Sequence, residues 1–258
     1  MNRRHLPTVL LAIVLTVIAV WVARNTYWAD ETVELPLKGA ALTDRYYATK
    51  KILERLGVSS AETASLDALP RSDGVLLAPE LNDIDLRRQT NRLERWVESG
   101  GRLIIAQGGL RSSEALQRWS GVSFRPPAEE DGNDAAKTPR DSCPTLEQRV
   151  NGRPDGTKLR ACVGFAQFDL LSRRAPAWSL SNERGISMLR VAIGRGSLTV
   201  LDCVCLLERR SPFTPDHARI LVNAAPLARG DRFTILAPEH AESLPAMLWR
   251  LAAPAMTA

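Results

Sequence analysis

The chain has 258 residues, 45% apolar and 24% charged, with 16 Gly and 16 Pro scattered without period. That composition belongs to a folded protein and excludes wholesale disorder, a collagen-like repeat and low-complexity character. Lys and Arg outnumber Asp and Glu by 34 to 29, but the +5 excess is spread along the chain rather than gathered in a run. Nucleic acid is therefore not expected as a partner.

Residues 1–5 are a short start carrying Arg3 and Arg4. Leu6 to Ala23 is a run of 18 uncharged residues, and as a helix rising about 1.5 Å per residue it reaches roughly 27 Å. One transmembrane helix over 6–23 fits that length, with the lipid bilayer as its partner. Arg3 and Arg4 precede the run, whereas Arg24 and then Asp30, Glu31 and Glu34 follow it. The positive-inside bias then puts the N-terminus in the cytoplasm and the rest of the chain outside it. A cleaved signal peptide ending near Val17-Ile18-Ala19 is the competing reading, and a buried core helix a third. The apolar run continues past Ala19, and Trp21, Tyr27 and Trp28 suit an interfacial aromatic belt, which favours an anchor.

Residues 24–42 read as a linker and 43–252 as an α/β domain. Thr43-Asp44 opens a helix with Ala48, Ile52, Leu53 and Leu56 as its apolar stripe, stopped by Gly57. Asp73-Gly74 leads into Val75–Ala78, a short apolar run ended by Pro79 and sized for a buried strand. A second helix begins near Asp85, with Leu86, Leu93, Trp96 and Val97 on one face. Arg87, Arg88, Arg92 and Arg95 lie elsewhere on it, as a solvated face or a site for anionic headgroups, and Ser99-Gly100-Gly101 ends it. With the strand Leu103–Ala106 this makes a β-α-β unit, for which a parallel pair with a right-handed crossover is expected.

Polar, turn-rich residues 126–142 read as an exposed loop. Beyond it the chain is β-rich: Thr145–Val150, Lys158–Phe165, Ile186–Ile193 and Ser197–Cys203 are predicted strands, the last two joined by a turn at Gly194-Arg195-Gly196. Thr214-Pro215 then caps a helix with Ala218, Leu221, Val222 and Ala225 buried. Phe233–Leu236 is a further strand, a helix carrying Leu244, Met247, Leu248 and Leu251 follows, and 253–258 is a small tail.

Cys143, Cys162, Cys203 and Cys205 are an even number in a domain placed outside the cytoplasm, which agrees with an oxidising compartment. Cys143 and Cys162 flank the turn-rich stretch 151–156 and are the preferred disulfide pair. Cys203 and Cys205, at i and i+2 on a strand, would lie about 6.6 Å apart, poorly placed to bond each other.

Outside the first five residues the only histidines are His217 and His240. Asp202 at a strand end, with Asp216 and His217 at a helix start, are the ligand-binding candidates. Helix capping and local hydrogen bonding are the stronger explanation for the last two. Cys203, Cys205 and His217 match no zinc spacing, so no metal is expected. Gly100-Gly101 and Gly108-Gly109 belong to no phosphate-loop pattern, so no cofactor is expected either.

Three stretches resemble a known family. They are Tyr46-Tyr47-Ala48 through Leu53-Glu54-Arg55-Leu56-Gly57; Leu93 to Ile105, which includes Trp96-Val97-Glu98-Ser99-Gly100-Gly101; and Gly196 to Asp202, followed by Asp216-His217-Ala218. Together they resemble the bacterial domain-of-unknown-function 4350 family from about residue 40 to 252. The resemblance implies an inner-membrane protein whose periplasmic domain is Rossmann-like, of the class I glutamine-amidotransferase-like kind. It also implies neighbours, a MoxR-type AAA ATPase and other membrane or periplasmic proteins of an assembly or maturation system. Family members usually enter a second membrane helix after the domain, whereas this chain ends at Ala258. It is either truncated there or held by one anchor.

Folds of that class expose a Cys or Ser on the sharp turn after the strand 103–106. Here Gln107-Gly108-Gly109-Leu110 stands in that place, and Ser112 and Ser113 come later, at the next helix. The expected fold is thus an α/β, amidotransferase-like sheet with a β-rich second half, preceded by one N-terminal transmembrane helix. The expected function is a non-enzymatic, membrane-anchored module that binds a partner. The alternative is a hydrolase- or thiol-type enzyme using residues around Asp202, Cys203 and His217.

Overall fold

The computed structural model describes residues 6–25, 38–67, 69–79, 81, 83–125, 143–161, 169–202, 204–208 and 214–237. The chain divides into two compact units, 1–38 and 39–258. The first contains helix α1, Leu6–Asn25. Its described side chains from Ile13 to Val22 carry no charge, and the large apolar ones among them are 45–65% exposed. This stretch is about 15 Å long, and among the described residues no helix is long and apolar enough to cross a membrane.

The second unit begins with α2, Ala40–Thr43, and α3, Tyr47–Arg55, followed by β1, Ser59–Thr63, and β2, Val75–Ala78. Next come α4, Asp83–Glu98, β3, Arg102–Ala106, α5, Gln107–Arg111, α6, Glu114–Ser120, and β4, Val122–Arg125. A β-rich stretch follows: β5, Thr145–Val150, β6, Arg153–Arg160, β7, Asp169–Ser172, β8, Pro176–Asn182, β9, Gly185–Ile193, and β10, Gly196–Leu201. A 3₁₀ turn, Val204–Leu207, the helix α7, Pro215–Ala224, and β11, Arg232–Leu236, complete the described elements.

Nine strands form one sheet in the order β1-β11-β2-β3-β10-β9-β8-β5-β6. The pairs from β1 to β10 are parallel, and the pairs from β10 to β6 are antiparallel. The short strands β4 and β7 pair separately and antiparallel. Alternation along each strand divides the core between the two faces. Val75, Leu77, Ile104, Leu201, Phe233 and Ile235 pack with Leu53 of α3 and with Ile220 and Leu221 of α7. Leu76, Ala78, Leu103, Ile105, Leu198 and Val200 pack with Leu93, Trp96 and Val97 of α4, Leu110 of α5 and Leu116 of α6. The antiparallel strands extend both clusters, Trp178, Leu180 and Met188 on the first face and Leu189, Val191 and Ile193 on the second.

The expected fold class is therefore corrected. A Rossmann-like, amidotransferase-like domain behind one N-terminal transmembrane helix is not what the chain builds. It builds a nine-stranded mixed sheet, in which most of the predicted β-rich half is continuous with the parallel half through the β3–β10 pair, Leu103↔Leu198 to Ala106↔Leu201. The physical reason is the hairpin between β9 and β10. Two-residue gaps join β10 to β9, β9 to β8 and β6 to β5, so the sheet grows there by antiparallel hairpins rather than by further β-α-β units. The transmembrane part of the expectation fails against the α1 finding above.

Glycine makes that hairpin fit. A Cβ on Gly194, at φ +58, would lie 2.7 Å from the Glu98 carbonyl oxygen, and one on Gly196 would lie 2.1 Å from that of Gly101. In that space Arg195 N–H donates to Glu98 O at 3.0 Å and Ser197 N–H to Gly101 O at 3.1 Å. The hairpin thus satisfies one carbonyl at the end of α4 and one in the turn that leads to β3. The predicted strand 158–165 is displaced, since β6 covers Arg153–Arg160. The predicted loop 126–142 and final helix lie outside the described residues.

Candidate functional site

Neighbouring parallel strands whose chains leave toward opposite faces open a crevice at their carboxyl ends, the place where open α/β sheets bind ligands. β3 and β10 are such a pair. After β3 the chain turns to the face of α4, placing Leu110 and Leu116 there. After β10 it turns to the other face, placing Val204, Leu206 and Leu207 against α7. The last paired residues are Ala106 and Leu201, so the next residues at the crevice are Gln107 and Asp202. Both are buried, at 1% and 7% exposure.

Asp202 Oδ1 has no hydrogen-bond partner among the described residues. Burial pushes its carboxyl from an ordinary 3.8 up to about 7. An acid held there exists in both protonation states near neutrality and can donate or accept a hydrogen bond. The hydroxyls that follow the turn after β3 serve the backbone. Ser112 Oγ donates to Gly109 O at 2.9 Å, and Ser113 Oγ accepts the Leu116 N–H at 3.2 Å as the cap of α6.

The other candidates lie on α7. Thr214 caps this helix, its Oγ1 accepting the His217 N–H at 3.4 Å, with Pro215 opening the first turn. Asp216 Oδ2 accepts the Arg160 N–H at 2.9 Å, which ties the helix start to β6, and Oδ1 lies 3.8 Å from Arg219. His217 is fully buried. Burial holds its pKa below the ordinary value, with Asp216 acting in the opposite direction. Asp216 and His217 are thus brought together in one helix turn, and no hydrogen bond or ion pair joins Asp202 to either.

Cys143 is disulfide-bonded. Its partner lies beyond the described side chains, and so do Cys162 and Cys203. Cys205 belongs to the 3₁₀ turn Val204–Leu207 rather than to a strand, which corrects the strand expected through Cys203. Among the described residues no group of three His, Cys, Asp or Glu is arranged to hold a metal ion.

Sequence reasoning noticed Gln107 as a missing nucleophile but did not foresee it beside Asp202, because only the β3–β10 register brings the two together. It also missed the anchoring of the segment after Asp202. Thr49 Oγ1 of α3 donates to Leu207 O at 2.7 Å, and Arg45 pairs with Glu208 at 2.8 Å. Two surface grooves lie elsewhere. One of about 560 Å³ runs between α3 and β1, and one of about 550 Å³ lies between α4 and α6, lined by Asn91, Glu94, Ser113 and Glu114. Neither touches Asp202.

No family model and no curated protein matches the chain. Among solved structures it has a partial likeness to an exo-β-1,4-mannosidase from Opitutaceae bacterium strain TAV5, at 16% identity and TM-score 0.28, over 45% of this chain and 18% of that one. A GH42 β-galactosidase from G. stearothermophilus matches at 14% identity and TM-score 0.31, over 64% of this chain and 24% of that one. The chain spans less than a quarter of the length of either enzyme, and likeness at these scores carries no argument about fold or chemistry.

Proposed function

We propose that this chain is a non-enzymatic module that binds a partner while held at a bacterial inner membrane. Its α/β domain lies in the periplasm, within an assembly or maturation system that includes a MoxR-type ATPase. The observation that carries the reading is α1. Its large side chains from Ile13 to Val22 are apolar and about half or more exposed, with Thr16 as the one polar residue among them, a surface that calls for apolar cover. The disulfide at Cys143 supports an oxidising compartment. The hydroxyls beside the turn after β3, both engaged with backbone, support a role without a nucleophile there. The partner and the ATPase rest on the family resemblance.

A second reading, a hydrolase- or thiol-type enzyme around Asp202, Cys203 and His217, is favoured by one observation, the buried carboxyl of Asp202 poised about 7.

The test joins fractionation with thiol labelling in intact bacterial cells. The chain is expected to sediment with membranes, and Cys143 to take up a membrane-impermeant maleimide only after reduction. A soluble chain whose Cys143 stays unlabelled even after reduction, and reacts only once the cells are lysed, would overturn the proposal.

A further inference from the structure

We infer that Cys143 is bonded to Cys162 across the open end of the β5–β6 hairpin, and that this bond holds the first turn of α7, so that reducing it releases that turn. Cys143 is in a disulfide, and within the chain it has three possible partners, Cys162, Cys203 and Cys205. The register of the hairpin selects among them. Glu147 lies opposite Lys158, Leu146 opposite Leu159 and Thr145 opposite Arg160. One step further the Ala161 N–H donates to Pro144 O at 3.1 Å. The ladder thus runs on past the strand ends without a slip, and its next position sets 143 opposite 162.

That position suits a disulfide. Opposed residues of an antiparallel ladder alternate between hydrogen-bonded and non-hydrogen-bonded pairs. Pro144 and Ala161 are a hydrogen-bonded pair, so 143 and 162 form a non-hydrogen-bonded one, with Cα atoms about 4.5 Å apart and side chains at their closest. Disulfides join Cα atoms about 4.4–6.8 Å apart. The face is shared as well. Leu146, Leu159 and Ala161 are turned into the first core cluster, whereas Thr145 and Arg160 are exposed. Alternation puts 143 and 162 with the exposed pair. Cys203 and Cys205 instead follow β10 into the turn whose Val204, Leu206 and Leu207 belong to the first cluster, on the other side of the sheet.

The bond supplies what the backbone lacks at this end. Pro144 has no N–H, so its pair with Ala161 makes one hydrogen bond where two are usual. Among the described residues β6 is an outer strand, paired with β5 alone. The Arg160 N–H is turned away from β5, and Asp216 Oδ2 in the first turn of α7 accepts it at 2.9 Å. Cys162 follows that contact by two residues, so a link there keeps the end of β6, and the anchor of α7 with it, from fraying. Forming the link takes two electrons and two protons from the thiols and passes them to the disulfide of a thiol–disulfide oxidant, which leaves as a dithiol. Because the link lies on the outer face, a dithiol reductant reaches it without opening the core.

Both parts are tested on the full-length chain in detergent, isolated without reductant and with free thiols blocked. Trypsin leaves Cys143 in peptide 141–149, Cys162 in 161–173, and Cys203 with Cys205 in 196–209. Mass spectrometry of the unreduced digest is expected to find 141–149 joined to 161–173. Finding 141–149 joined to 196–209, or unjoined, would overturn the pairing. Amide exchange reads the release. After dithiothreitol, and equally in Cys162→Ser, the Arg160 amide and the His217 amide under the Thr214 cap should exchange about tenfold or more faster, while those of β2 and β3 stay protected. Unchanged exchange at Arg160 and His217 would overturn the release. Equal acceleration in β2 and β3 would overturn it too, since the bond would then be a condition of the whole fold. If Cys162→Ser fails to fold, the digest and the reduced wild-type chain still decide.

Discussion

At the scale of single residues, Asp202 and His217 pull stability in opposite directions as pH changes. Asp202 is held at about 7 in the fold against an ordinary 3.8. Between those values the folded chain keeps a proton that the unfolded chain has lost. Its contribution is therefore full below about pH 4 and is lost as pH rises through about 7. The gap corresponds to about 4 kcal/mol. His217 has the reverse sign, because burial lowers its pKa from 6.5, Asp216 offsetting part of this. The folded chain stays neutral there while the unfolded chain takes up a proton, so stability is present above pH 6.5 and lost as pH falls below it. Asp202→Asn removes only the first effect. Urea unfolding at pH 5 and pH 8 should place the variant above the wild type by between 1 and 2 kcal/mol, roughly, at the lower pH and by up to about 4 kcal/mol at the higher. An equal difference at both pH values would mean that Asp202 is ionised at no unusual cost.

At the scale of elements, α7 shows what local chemistry can announce in advance. Thr214-Pro215 marked its start, and the structure has the Thr214 hydroxyl on the His217 N–H with Pro215 in the first turn. Thr214→Ala should cost about 1 kcal/mol, read as a lowered urea midpoint with unchanged slope, and Thr214→Ser should restore most of it. A midpoint unaffected by Thr214→Ala would show that the Asp216 bond to Arg160 alone fixes the helix start. Strands buried on both faces were equally legible: Val75–Ala78 and Leu103–Ile105 are continuous apolar runs, and Phe233–Leu236 is broken only by Thr234, because helices cover them above and below. β1 was not, since an exposed edge of sequence Ser-Ser-Ala-Glu-Thr has no apolar pattern to read. β8 opens on Pro176, and β4 and β7 are four residues each, too short for alternation to stand out. The strand expected through Cys203 stops at Leu201 because its partner β3 ends at Ala106, where the chain enters α5 and offers no further ladder. Gln107 became part of the candidate site through that same pairing, which joins positions nearly a hundred residues apart and leaves no mark in either segment.

At the scale of the whole molecule, the β3–β10 pair decides whether the parallel and antiparallel halves behave as one body or two. Both core clusters run across it. On one face Ile104 and Leu201 share a cluster with Trp178 and Met188, and on the other Leu103 and Val200 share one with Trp96 and Val191. A break at this line would expose apolar surface on both faces at once, at about 25 cal/mol for each Å², and would free the ladder groups of five residue pairs. Independent unfolding of either half is therefore disfavoured, and a single transition is expected. Two tryptophans can report it. Trp96 on α4 packs over the parallel half, with Nε1 donating to Pro70 O at 2.8 Å, and Trp178 on β8 lies in the antiparallel half, with Nε1 donating to Gln148 Oε1 at 3.1 Å. Variants of the 39–258 unit that retain only one of these as the fluorescent reporter should give superimposable urea curves, coincident with far-UV circular dichroism, while the Cys143 disulfide stays oxidised. Gly196→Ala, whose new Cβ would sit 2.1 Å from Gly101 O, should lower both midpoints together, because the clash falls between the starts of β10 and β3, at the join. If the Trp178 curve alone shifted, the antiparallel strands would be a separately stable layer.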